Sequence, residues 1–387
     1  MRKYLQRFQS ECRRADLVLL LLCLVTSAFG CLIIASTTGY LEDMRYIVIQ
    51  IGATLLGVLF YMIFSSIDAD FFSEHRLALV IFNSCLLFML IPFGRAVFGN
   101  RSWLRFPFLP FDIQPAEICK ITYILITASV MASHQNRLSS IPSVMHIAFH
   151  LLLLVGMNWA LSHDAGVSLI FVFIFVGMTF GGGVKLIWFL AAGGGIAALS
   201  PIIWNVVMNE DQQLRIRVLF EPELDPLGTG PRYHTIRSLR SLTGGGMTGQ
   251  GLFNGHRTQQ GALFAQHTDY IFSAIGEELG YIGCALVLAM LFLIVARCIW
   301  VGKRSQDSMR RLICYGAASA LIFQIISNVG MCIGVTPVIG LTLPFISYGG
   351  SSIVTLYAML GLVSGVYARP APISHERYIH PPLSSYH

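Results

Sequence analysis

Charge is what this chain of 387 residues has least of: only 12% of it is Asp, Glu, Lys or Arg, about half the share usual in soluble domains. So few ionisable groups cannot cover a water-facing surface of this size, which excludes a soluble globular protein. The formal charge of +6 does not point to nucleic acid, because the basic residues are scattered between apolar blocks. Among the nine cysteines there is no CxxC pair, and Cys23, Cys31, Cys85, Cys284, Cys314 and Cys332 lie inside apolar runs. That excludes a disulfide framework and a zinc site from the expectations and leaves small buried hydrophobes. No repeat of fixed period is present. The first apolar run is too long for a signal-peptide core and reads as a retained helix.

What the chain does have is apolar residues, 55% of the total, and a mean hydropathy of +0.67. They gather at roughly 17–36, 46–66, 78–94, 116–133, 145–162, 165–181, 184–208, 270–300, 309–336 and 350–368. Each block is close to the length that crosses a hydrocarbon core of about 30 Å as a helix. Helices are required, since backbone amides in lipid must bond within their own segment. The fold class is therefore an all-α polytopic membrane protein with about ten transmembrane helices. A cytoplasmic lead, 1–16, precedes a membrane domain, 17–368, and a tail, 369–387, follows. The tail holds Pro370, Pro372, Pro381 and Pro382 and is expected to be disordered.

Basic residues orient the bundle. Arg2, Lys3, Arg7, Arg13 and Arg14 in the lead, Lys303, Arg304, Arg310 and Arg311 between the eighth and ninth spans, and Arg369 and Arg377 in the tail share one face. The positive-inside rule makes that face cytoplasmic. The connections 95–115 and 209–269 then lie outside. The second is a long extracytoplasmic loop before the eighth span, with six arginines and no lysine. A guanidinium fork suits phosphate.

An ionisable group at membrane depth costs about 2.5–3.5 kcal/mol on insertion scales, so each one raises a functional question. Glu117 and Lys120 open the fourth span at i, i+3 and can pair, either as a structural ion pair or facing a site. We expect them to face the same interior cavity as Asp269 rather than lipid. Asp164 starts the sixth span, as an N-cap or as a site carboxylate. Glu277 and Glu278 point about 100° apart on a helix and make no shared-proton dyad by spacing. Asp269 sits where polar loop meets apolar span. Partial burial there would raise its pKa and make it a better base, while an N-cap is an equal reading. The run Thr243 to Gly251 could offer backbone amides to phosphate, yet it lacks the Lys-Ser/Thr ending of a P-loop and reads equally as a flexible loop. The apolar, turn-rich connection Thr336 to Ser352 implies irregular backbone buried in protein or lining a cavity.

Asn328 to Ser352, NVGMCIGVTPVIGLTLPFISYGGSS, closely resembles the signature of the SEDS family, the RodA/FtsW/SpoVE proteins of bacterial shape, division and sporulation. Further matches fall in family order. They are Arg101-Ser102-Trp103-Leu104, the QPxE-x-x-K element ending in Glu117 and Lys120, His163-Asp164-Ala165-Gly166, Tyr233 to Gly251, and His267-Thr268-Asp269-Tyr270-Ile271-Phe272 with Gly276-Glu277-Glu278-Leu279-Gly280. The chain departs from the family at Ala116, His163, His234, Arg237 and the segment Leu263-Phe264-Ala265-Gln266. Its short termini lean to the RodA-like side.

The resemblance implies a glycosyltransferase of the bacterial cytoplasmic membrane that polymerises lipid II, an undecaprenyl-pyrophosphate disaccharide-pentapeptide. It works with a class B penicillin-binding protein. The resemblance places the catalytic aspartate on Asp269. Within the matched motifs, Arg101, Trp103, Glu117, Lys120, Asp164, Ser238, His267 and Thr268 are the candidate substrate contacts. Arg101, Arg215 and Arg217 are the outer-loop candidates for the donor pyrophosphate, with Arg237 and Arg240 next. Mg²⁺ or Mn²⁺ is a candidate cofactor. Two other readings remain open from sequence: a lipid II flippase or transporter, and a scaffold that only recruits the penicillin-binding protein.

Overall fold

The structure is a computed structural model. It describes residues 14–41, 43–97, 100–106, 109, 111–226, 229–230, 232–263 and 265–369. Most of the lead and the tail from 370, with the expectations placed on them, lie outside these residues. Among the described residues nine helices are long and apolar enough to cross a membrane: Leu17–Leu41, Arg45–Ser66, Arg76–Phe93, Pro115–Ser133, Ile141–Ser162, Leu186–Val206, Ile271–Arg304, Ser308–Cys332 and Gly350–Ala368. A shorter apolar helix, Ala165–Gly181, takes the sixth place and completes ten. Its 17 residues reach about 26 Å, the lower limit for a span.

The spans differ in how much protein surrounds them. Of the fourth and the tenth, 83% is buried inside the protein, whereas the seventh, Leu186–Val206, has none buried. The bundle is therefore centred on the fourth, ninth and tenth spans, and the seventh stands at the lipid edge. Close crossing depends on small residues, since van der Waals contact rather than hydrophobic exclusion drives helix association in lipid. A Cβ on Gly361 of the tenth span would come within 2.6 Å of the Tyr61 carbonyl on the second.

The connections 95–115 and 209–269 are structured among their described residues. Strand β1, Gly94–Val97, pairs antiparallel with β2, Asn100–Leu104, with a register irregularity between Arg95 and Val97. Leu104 then bridges to Ile113, tying the hairpin to the start of the fourth span. The 209–269 loop contains helices Glu210–Phe220, Tyr233–Gly244 and His256–Gln259. An Asn209–Gln212 capping box starts the first of them. Residues 333–349 form no helix, and Leu343, Phe345, Ile346 and Ser347 within them are buried. This is the buried irregular backbone expected from sequence.

The eighth span breaks at Gly280, where φ is +67°. A break strands carbonyls on one side and amides on the other. The glycine-rich segment meets them. Gln250 N and Gly251 N donate to the Glu277 and Glu278 carbonyls, each at 2.9 Å, and Tyr281 N donates to the Gly246 carbonyl at 3.0 Å. Only glycine permits the approach: a Cβ on Gly249 would sit 2.1 Å from the Glu278 carbonyl oxygen. The segment is thus neither a flexible loop nor a phosphate cradle. It seals a helix break.

Candidate functional site

Asp269 sits on the turn 265–270 that feeds the eighth span. The turn closes through Thr268 N and Tyr270 N, both donating to the Ala265 carbonyl, with Ala265 at φ +52°. Other elements hold it. Tyr348 N donates to the His267 carbonyl at 2.8 Å, and the Ser347 hydroxyl donates to the Thr268 carbonyl at 2.6 Å. The Asn328 amide donates to the Asp269 carbonyl at 2.9 Å. Gln50 of the second span, fully buried, secures the far side by bonding Ser347 O and Gly349 N. The His267 ring packs edge-on between Tyr46 and Tyr348, with centroids 4.9 and 5.7 Å away.

The Asp269 residue keeps part of its surface open, but protein atoms crowd its carboxyl group. Burial pushes that carboxyl up to about 6, against a hydrogen bond from Thr268 that pulls the other way. The carboxylate faces the Gly340 backbone: a Cβ there would lie 3.6 Å from Asp269 Oδ2. Burial lowers the His267 imidazole, which favours its neutral form.

Asp164 borders the same segment from the other side, since a Cβ on Gly166 would lie 2.8 Å from the Ile339 carbonyl oxygen. It is the N-cap of the sixth span. Oδ1 accepts from Val167 N at 3.1 Å, while Oδ2 accepts from Ser102 at 3.4 Å and from Gln114 at 3.3 Å. Burial raises its pKa, and hydrogen bonds from Val167 N, the Ser102 hydroxyl and Gly166 N oppose the rise. Gln114 is also the N-cap of the fourth span, so its bond to Asp164 brings the end of that span carrying Glu117 and Lys120 to Asp164. The pair is closed at 2.7 Å and almost fully buried, with Thr355 donating to Glu117 Oε2 at 3.1 Å. It faces protein and not lipid.

The remaining sequence candidates disperse. Arg215, on helix Glu210–Phe220, donates to the Val338 carbonyl at 3.1 Å. With Arg232, which the sequence reading passed over, it lines a cavity of about 210 Å³ floored by Thr336, Pro337 and Val338. Arg217 stacks over Trp204 and Arg237 over Tyr233. Arg240 is exposed. Exposed Arg101 donates to the Gly94 carbonyl within the hairpin, and Trp103 lies opposite Arg95. Ser238 is fully buried, its hydroxyl shared between Ser273 and the Cys332 carbonyl. Glu277 and Glu278 are buried and hold the loop. Glu277 accepts from Arg257 N and Thr258 N, and Glu278 from Ser36 and Gln259. Among the described residues no three of His, Cys, Asp and Glu gather in a group able to hold a metal ion. The donor set therefore does not match a divalent ion caged by protein ligands.

Gln50, Gln266, Asn328 and Ser347 also belong to the site, and sequence reasoning missed them. The available signal was a lone amide within an apolar run, as at Gln50 and Asn328.

Fold and site define a multi-pass membrane protein with a partly buried carboxylate at one end of its helix bundle. Residues 15–370 match the family described as cell cycle protein, FtsW/RodA/SpoVE, and the chain belongs to that family. It is 31% identical over 361 residues to the peptidoglycan glycosyltransferase MrdB of Escherichia coli K12, covering 93% of this chain and 95% of that protein. To a probable peptidoglycan glycosyltransferase FtsW of Geobacter sulfurreducens it is 32% identical over 376 residues, covering 93% and 96%. Two solved structures share the fold. The rod shape determining protein RodA of Thermus thermophilus matches at a TM-score of 0.67 and 25% identity, over 91% of this chain and 96% of that one. A chain from a peptidoglycan synthase complex, described as coordinating polymerization and crosslinking, matches at 0.77 and 26%, over 91% and 97%.

Proposed function

We propose that this chain is a peptidoglycan glycosyltransferase. It polymerises lipid II at the outer face of the cytoplasmic membrane, beside a class B penicillin-binding protein that supplies the transpeptidase. The names of its relatives support the reaction class, and the synthase complex of the same fold supports the partner.

The observation that carries the mechanism is Asp269, a carboxyl raised to about 6 by burial at the mouth of the bundle. It is ionised at neutral pH and basic enough to accept a proton, the balance a general base requires. An acceptor sugar hydroxyl gives its proton to Asp269 as its oxygen bonds to the donor's anomeric carbon. The bond from that carbon to the diphosphate oxygen breaks, and the diphosphate leaves with the electron pair. Arg215 and Arg232 in the adjoining cavity meet the charge that develops on it. Asp164, held by Ser102 and Gln114, bounds the acceptor side. His267 and Thr268 flank the base, and Glu117–Lys120 fixes the floor near Asp164.

The test uses the full chain with its cognate penicillin-binding protein, purified in detergent and given lipid II. Glycan polymer supports the proposal. Translocation in vesicles without polymer would instead indicate a flippase, and neither activity a scaffold.

A further inference from the structure

Gln266 and Asn328 are both fully buried, and each turns its amide nitrogen to two backbone carbonyls from different parts of the fold. Gln266 donates to Thr37 O at the end of the first span, at 2.7 Å, and to Thr258 O of helix His256–Gln259, at 2.8 Å. Asn328 of the ninth span donates to Asp269 O at 2.9 Å and to Leu341 O at 2.7 Å. With Ser347 on Thr268 O and Tyr348 N on His267 O, four consecutive residues, 266–269, are each tied to another element. The conformation so held includes Ala265 at φ +52°, a backbone that persists only where its surroundings over-determine it.

We infer that Gln266 and Asn328 are positioning residues, a pair of amide clamps that fix the Asp269 carboxylate for proton transfer. Two carbonyl oxygens converge on one point, and a neutral amide supplies both N–H donors from one nitrogen. A carboxylate of the same shape would face two acceptors with none to give. An apolar side chain would take a donor from both carbonyls, leaving Thr258 O only Gly261 N at 3.2 Å in the one case and Asp269 O only the Cys332 thiol at 3.7 Å in the other. The inference rests on the reading of Asp269 as the base, and it adds Gln266, three residues upstream, which ties the base to the first span and to the outer loop at once.

The experiment compares Gln266→Glu, Asn328→Asp and the milder Ser347→Ala with wild type and Asp269→Asn. All are full-length chains copurified with the penicillin-binding protein. Melting temperature, kcat, KM for lipid II and the acid limb of the pH–rate profile are measured per folded molecule. Displacing a reacting group by about 1 Å can cost about 10²-fold in rate. The clamp variants should lose roughly 10- to 100-fold in kcat with KM within about twofold. Their acid limbs should move from that of wild type as the carboxyl shifts in its pocket. Ser347→Ala, which removes one tether of the same turn, should lose kcat in the same sense and keeps the test open where an acidic variant fails to accumulate. Unchanged kcat and acid limb in the folded variants, with only the melting temperature lowered, would make the amides structural and overturn the inference. Full activity of Asp269→Asn would instead sink the reading of Asp269 on which it rests.

Discussion

Replacing Asp269 by Asn should stabilise this protein while it disables it. Burial holds the folded carboxyl near 6, against an ordinary value of 3.8. At 1.36 kcal/mol per unit the ionised form destabilises the fold by at most about 3 kcal/mol. The sign follows from linkage. A raised folded pKa means that the native state holds the proton more tightly than the unfolded chain. The fold is therefore relatively favoured at low pH, and that advantage is lost as pH rises through about 6. An asparagine carries no such pH term. Its gain over wild type should be full above pH about 6, shrink between about 6 and about 4, and vanish below. Thermal unfolding in detergent at pH 8, 6, 5 and 4, followed by intrinsic fluorescence, measures it. A melting temperature several degrees above wild type at pH 8 that converges at pH 4 agrees with the argument. An equal or lower melting temperature at pH 8 refutes the claim that burial raises this carboxyl.

Other outcomes follow from single contacts. Lys120→Ala strands the buried Glu117 carboxylate, and breaking a buried pair costs about 3–5 kcal/mol. The variant should accumulate poorly in membranes, and Lys120→Met with Glu117→Gln should recover much of the loss, as immunoblots of membrane fractions would show. Gly280→Ala places a Cβ about 2.4 Å from the Met247 carbonyl oxygen at φ +67°. It should detach the glycine-rich strap and raise protease cleavage within 245–251. Arg215→Ala with Arg232→Ala empties the cavity of cation and should lower kcat/KM for lipid II by at least tenfold, about 1.4 kcal/mol of transition-state stabilisation. Undiminished kcat/KM would remove that cavity from the mechanism.

Much of the architecture was written in periodicity and charge. All ten spans were legible, because lipid leaves an apolar helix as the only solution for each block. Glu117 and Lys120 announced their pairing by i, i+3 spacing and rarity. Asp164 was legible as an N-cap, and the structure adds Ser102 and Gln114 to it. Thr243 to Gly251 was not legible. Glycines that fit a helix break look the same in sequence as glycines that flex, and only the Gly280 break tells them apart. The arginines of the long loop could not be ranked, since their directions depend on where helices Glu210–Phe220 and Tyr233–Gly244 dock. Gln266 was hidden in a polar loop, where nothing local distinguishes a buried amide from an exposed one.

The central claim is that Asp269 takes the proton from the acceptor hydroxyl. General-base catalysis is typically worth about 10²–10⁴-fold. Its most direct test is lipid II polymerisation by purified, folded Asp269→Asn protein with its penicillin-binding partner bound. The account predicts a loss of at least 10²-fold, beside a wild-type rate that falls as pH drops through about 6. Polymer yield close to wild type from the Asn variant would contradict it, and the base would then have to be sought at Asp164.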